Sequence, residues 1–154
     1  MSSQEKMDFF EVGDRTALVC ADPTTTEMAK KTLRELGFKF HTAETTDLAI
    51  DRMRYSSYDC IIVHENFAGS SLRSNAVLNY LAPLPMALRR NSFVCLAGPS
   101  LKTLDAMQAF GLSVHMVIHP EDLPNLTAIL KKGLAEFESL YVAFKDAVNT
   151  LGER

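Results

Sequence analysis

Three side chains stand where they could do chemistry: Asp22, His64 and His119, each just beyond an apolar run of the chain (Thr16–Cys20, Asp59–Val63 and Val114–Ile118). One carboxylate and two imidazoles are competent ligands for zinc or another transition metal. An imidazole also changes charge near neutral pH. A metal site or a protonation switch is therefore one reading of the trio. The competing reading is that both histidines fill space and hydrogen-bond to backbone or water, with no ligand at all. His41 and His115 sit within strand-like runs and read as ordinary strand residues. Glu65, beside His64, reads as a loop carboxylate facing solvent, because charged residues at loop positions are usually exposed.

Other sources of chemistry are thin. Cys20, Cys60 and Cys95 lie singly and far apart inside apolar segments, without the paired spacing of zinc or redox sites, and read as buried, inert thiols. Gly69, Ser70 and Ser71 form a loop, but one glycine in such a stretch is no phosphate-binding fingerprint. Neither an HExxH helix nor a nucleophile elbow occurs. The chain is expected to be no enzyme and to need no cofactor.

The elements that must hold these residues follow from the hydrophobic pattern. Five short, β-branched-rich runs alternate with helical patterns, the signature of βαβ units closing on a parallel sheet. Thr16–Cys20 is the first strand, and Thr24 to Glu27 resembles a capping box that starts a helix near Thr25. That helix carries Ala29, Leu33 and Leu36 on one stripe and ends at Gly37. Phe38–Ala43 reads as the second strand, and Thr45 to Asp47 caps a helix running to about Tyr58. Asp59–Val63 is a continuous apolar run, as for a central strand covered on both faces. Between Glu65 and Asn91, glycine, serine and proline interrupt a helical stretch at Ser74–Leu81. Phe93–Ala97 is the fourth strand, Leu101–Phe110 a helix, and Val114–Ile118 the fifth strand, ended by His119-Pro120.

The last helix should be unusually long. From Leu123 to about Leu151 the apolar positions Leu126, Leu130, Gly133, Phe137, Leu140, Phe144, Ala147 and Leu151 alternate in spacing between four and three. About 28 residues at 1.5 Å each reach on the order of 40 Å, roughly twice what crossing a five-stranded sheet requires. Tyr141, Phe144, Val148 and Leu151 are expected to project beyond the sheet as an interaction surface, unless a bend after Gly133 folds the tail back or the tail frays in solution.

Composition narrows the class. The 154 residues fit one domain with a single core, and 47% hydrophobic and 23% charged residues are ordinary for a globular chain. A net charge of -3 without a lysine and arginine run argues against nucleic acid as a partner. No stretch approaches the roughly 18 apolar residues of a membrane span, so no membrane association is expected and a cytoplasmic location is.

The order of elements and their end residues, from about Arg15 to Phe137, resemble the receiver domain of two-component response regulators. Ala49-Ile50-x-x-Met53 ahead of Tyr58-Asp59-Cys60-Ile61-Ile62-Val63 resembles the family's second helix and central strand, and Ile118-His119-Pro120 resembles the strand ending in Lys-Pro. The resemblance implies a flavodoxin-like three-layer α/β sandwich with a five-stranded parallel sheet in order 2-1-3-4-5. It also implies a phosphorylation pocket at Ala21, Asp22, His64, Ala97 and His119. Receivers place two acidic residues, a phosphoacceptor Asp, a Ser or Thr and a Lys at those positions. Only Asp22 keeps its type; His64 stands at the phosphoacceptor position, Ala97 at the hydroxyl and His119 at the lysine.

Aspartyl phosphorylation needs a carboxylate nucleophile, a divalent cation held by several carboxylates, and a lysine and hydroxyl on the phosphoryl oxygens. The expectation is thus a pseudo-receiver that signals by protein contact rather than by phosphorelay chemistry, self-associating as a homodimer through its last helix. The alternative is a metal or small-ligand sensor built on Asp22, His64 and His119. The expected layout is an N-terminal segment (1–14), a receiver-like domain (15–137) and a helical extension (138–154).

Overall fold

The computed structural model describes residues 10–84 and 91–152; within the final helix the side chains of residues 141, 144–146 and 148–152 lie outside that description. Five strands, β1 (Thr16–Cys20), β2 (Lys39–Thr42), β3 (Cys60–His64), β4 (Phe93–Ala97) and β5 (Met116–Ile118), form one parallel sheet in the order β2-β1-β3-β4-β5. Between them run α1 (Pro23–Glu35), α2 (Thr46–Tyr55), α3 (Ala76–Leu81) and α4 (Ala106–Gly111), and α5 (Leu126–Gly152) closes the chain. This is the expected flavodoxin-like sandwich.

Alternation along the strands feeds two separate cores. Val19, Ile62, Cys95 and Ile118 pack with Ala29 and Leu33 of α1 and Leu126, Leu130 and Leu134 of α5. Their neighbours Leu18, Ile61, Leu96 and Val117 point the other way, onto Ala49 of α2, Val77 and Leu78 of α3 and Ala109 of α4. Every residue of β1, β4 and β5 is buried, as a parallel sheet covered on both faces requires. No helix among the described residues is long and apolar enough to cross a membrane.

Several element ends differ from expectation for identifiable reasons. α1 begins two residues early because Pro23, whose fixed φ suits a first helical turn, sits at its start. Asp22 stands at the cap position without a side-chain capping bond, so its carboxylate is left for the site. α2 is capped as expected, Thr45 Oγ1 accepting from the Leu48 N–H at 3.2 Å. Residues 101–105 are not helical: Leu104 takes a left-handed φ of 62°, which a right-handed helix cannot contain, and α4 starts only after Asp105 accepts from the Gln108 N–H at 3.0 Å. β5 keeps three residues, and a 3-10 turn at Pro120–Asn125 precedes α5, which begins at Leu126 rather than Leu123.

α5 runs without interruption through Gly133, so the competing bend is not formed. Gly133 serves close approach instead: a Cβ there would meet Phe93 Cζ at 2.9 Å and Met116 Sδ at 3.1 Å. Burial along α5 falls off after Leu134 and the half-buried Phe137, and from residue 138 onward every described side chain is exposed.

The three cysteines are free and buried. Burial pushes the Cys20 and Cys95 thiols up to about 12 and raises that of Cys60, which also faces Cys95 and Asp59. Since the thiolate is the reactive species, the native protein at pH 8 should give no prompt colour with Ellman's reagent. All three thiols should then titrate in denaturant; a fast-reacting thiol in the folded state would contradict this burial.

Candidate functional site

The carboxyl edge of the sheet is assembled by register. His64 pairs with Ala97 across β3 and β4, and Ala97 with Ile118 across β4 and β5, so the strand tips end level with one another. Asp22 leaves β1 beside them, and His119 follows β5 directly. Ala97 is fully buried and Ala21 packs partly into the core on the α1 side. Neither can donate or accept through its side chain.

Asp22 and His64 come together. His64 Nε2 lies 3.8 Å from Asp22 Oδ1, with the imidazole 14% exposed and the carboxylate 45%. That spacing is too long for a direct hydrogen bond. The other ring nitrogen, Nδ1, accepts the Asn66 N–H at 3.0 Å. His119 repeats the device: its Nδ1 accepts the Glu121 N–H at 3.1 Å and caps the following turn. Its backbone N–H donates to Thr103 Oγ1 at 2.9 Å, and the Thr103 hydroxyl donates to Asp122.

This geometry bears directly on the metal reading. A neutral imidazole has one lone pair, and in both rings a backbone N–H two residues along already takes it, leaving Nε2 as a donor. Among the described residues no group of three or more His, Cys, Asp or Glu side chains is placed to hold a metal ion. The residues also do not fit the magnesium cage of a phosphorylation pocket. Asp22 offers one carboxylate, and that of Glu65, next to His64, is turned inward.

Glu65 is the main departure from the sequence reading. It is 3% exposed rather than solvent-facing. Its Oε1 accepts the Ser100 N–H at 2.7 Å, and the side chain lies over Gly98 so closely that a Cβ there would overlap the carboxylate. Its backbone N–H donates to the Ala97 carbonyl at 2.8 Å. Burial of a carboxylate is tolerated when such charge-assisted bonds replace water.

Asn75 was equally hidden. It is fully buried; Nδ2 donates to the carbonyls of His64 at 3.0 Å and Glu65 at 3.2 Å, while Oδ1 accepts the N–H groups of Val77 and Leu78 at 3.0 and 3.1 Å. One amide thus caps α3 and ties it to the tip of β3. An asparagine just before an apolar helical run is the signal that could have marked the cap, though not its reach back to β3. His41 and His115 are structural. The first shares a 2.9 Å hydrogen bond between Nδ1 and the Tyr58 hydroxyl and stacks on Phe10; the second accepts the Val94 N–H at 2.9 Å and stacks on Phe93.

No family model matches the sequence, and no curated protein does. Solved structures do match in fold. The signal receiver domain of a LuxO repressor protein from Vibrio parahaemolyticus superimposes with a TM-score of 0.63 at 15% identity, covering 84% of this chain and 97% of that one. A CheY-like response regulator receiver domain from Methylobacillus flagellatus gives 0.56 at 22% identity, over 78% and 98%. A yeast trimeric coiled coil fused to another solved structure gives 0.60 at 14% identity and covers 94% of this chain and 93% of that one. The chain therefore has the fold of response regulator receiver domains.

Removing the Asn75 amide deletes a helix cap, takes the side-chain acceptor from the Val77 and Leu78 N–H groups and the amide donor from the His64 carbonyl, and leaves the Glu65 carbonyl to Ser70 Oγ alone. Asn75→Ala is expected to lower stability by about 2–4 kcal/mol. Urea unfolding followed by circular dichroism measures this, and a loss under about 0.5 kcal/mol would refute the role assigned to the amide.

Proposed function

We propose that this chain is a receiver-fold signalling module that works without aspartyl phosphorylation, by protein contact, and associates with a second copy through the end of α5. The observation that carries the reading is chemical: an imidazole, His64, stands at the tip of β3 where a phosphoryl group would need a carboxylate oxygen, beside a buried alanine at the tip of β4. A histidine after β5 replaces the lysine that would balance phosphoryl charge. Among the described residues, neither an attacking carboxylate at the tip of β3 nor a group of side chains able to cage a cation is left to run the transfer.

The contact surface follows from the division of α5. Leu126, Leu130 and Gly133 of its apolar stripe are packed on the sheet, whereas Leu140, on the same stripe, is 72% exposed and Ala147 is exposed as well. Val142 adjoins it at 56%. An apolar stripe spaced alternately by four and three and left uncovered is the form that a two-helix seam buries. The side chains of Tyr141, Phe144, Val148 and Leu151 lie outside the described residues, and their part in the seam rests on sequence position alone. The match to a trimeric coiled-coil fusion spans more of this chain than the isolated receiver domains do, in keeping with a long terminal helix.

Two measurements test the proposal. Incubation with acetyl phosphate and magnesium should leave the intact mass of the protein unchanged; a stable acyl-phosphate adduct would overturn the phosphate-free reading. Light scattering of the full chain should give the mass of a dimer, and deletion of 146–154 should reduce it to a monomer. An oligomer that survives the deletion removes α5 from the interface.

A further inference from the structure

Glu65 has more hydrogen-bonding consequence than packing alone explains. It joins two elements: its main chain continues β3 and is held by Asn75 and by Ser70 Oγ, while its side chain crosses to the loop between β4 and α4 and accepts the Ser100 N–H. That loop, residues 98–105, is pinned at its far end as well. The Leu104 N–H donates to the Val117 carbonyl at 2.9 Å with Leu104 in a left-handed conformation, and Thr103 links His119 to Asp122. Gln108 closes it from α4, accepting the Lys102 N–H and donating to the Ser100 carbonyl. The near end is held by the Glu65 carboxylate on the Ser100 N–H, beside the Gly98 N–H on the Ile118 carbonyl.

The position is the one that matters in a phosphorylated receiver, where an anion formed at the tip of the third strand is gripped by a hydroxyl after the fourth. Here the hydroxyl position is Ala97 and holds no donor, but three residues further on a backbone N–H meets a carboxylate from the residue after His64. Gly98 is what admits it. We propose that Glu65 is a built-in anion that fastens the β4–α4 loop to the tip of β3 permanently, replacing by a fixed side chain the bridge that a transient phosphoryl group would make. The loop and α4 are thereby held in one arrangement with no chemical event to set or release it.

Amide hydrogen exchange on the full chain tests this. Glu65→Gln keeps shape and an acceptor oxygen but removes the charge, and a neutral bond is weaker than a charge-assisted one. Exchange at Ser100 and its loop neighbours should quicken about tenfold while amides in β1 and β3 keep their protection, because local opening is decoupled from global unfolding. Gly98→Ala, which leaves Glu65 in place chemically but fills the space beneath its carboxylate, should open the same amides. The proposal fails if Ser100 to Asp105 stay within about twofold of wild type in Glu65→Gln, or if protection falls equally in β1 and β3, the mark of a merely structural residue. Should Gly98→Ala not fold, the isosteric Glu65→Gln decides alone. Molar mass recorded on the same samples keeps this outcome separate from that of self-association, on which the inference does not rest.

Discussion

The constraint behind the whole molecule is that a parallel sheet has no exposed face. Crossover helices cover both sides, so side chains of β1, β3, β4 and β5 are committed to one core or the other, Val19 and Ile62 to the first, Leu18 and Ile61 to the second. Polar chemistry can appear only where the strands stop. Asp22, His64 and His119 all occupy such stops, and Glu65 begins the loop after one. The sheet fixes where a site can be, and the loops decide what is in it.

At those stops the backbone competes with any ligand. A loop leaving a buried strand carries N–H groups that must be satisfied, and here two histidines and one glutamate are spent on them: Asn66 on His64, Glu121 on His119, Ser100 on Glu65. Asn75 serves four backbone groups at once. A side chain so used contributes order to the loop and loses its availability for coordination. The same residue types that suggest a ligand set are thereby turned into fasteners.

Architecture was legible because its signal is periodic. Five β-branched runs separated by helical stripes give the sheet and its order, and β4 falls on the expected residues without adjustment. What stayed hidden depends on contacts between distant residues or on single backbone angles. Nothing in the run from Leu101 to Phe110 announces that Leu104 will adopt a positive φ and confine α4 to its second half. The inward turn of Glu65 requires Gly98, thirty-three positions later in the chain, and no local pattern links the two. Pro23, by contrast, was readable: a proline at that place marks a helix start two residues ahead of the capping-box position. The proximity of Asp22 to His64 follows from strand order, whereas the bonds of His119 to its own turn and to Thr103 do not.

An unbroken α5 has a mechanical meaning. Its first turns are clamped to the sheet through Leu126, Leu130 and Leu134, and the glycine that would have been the natural joint is wedged against Phe93 and Met116. The remainder of the helix, residues 138–152, is then a rod of about 22 Å anchored at one end. Whatever grips that rod acquires a fixed bearing on the sheet, and torque applied at its tip arrives at β4 and β5 instead of being absorbed by a hinge.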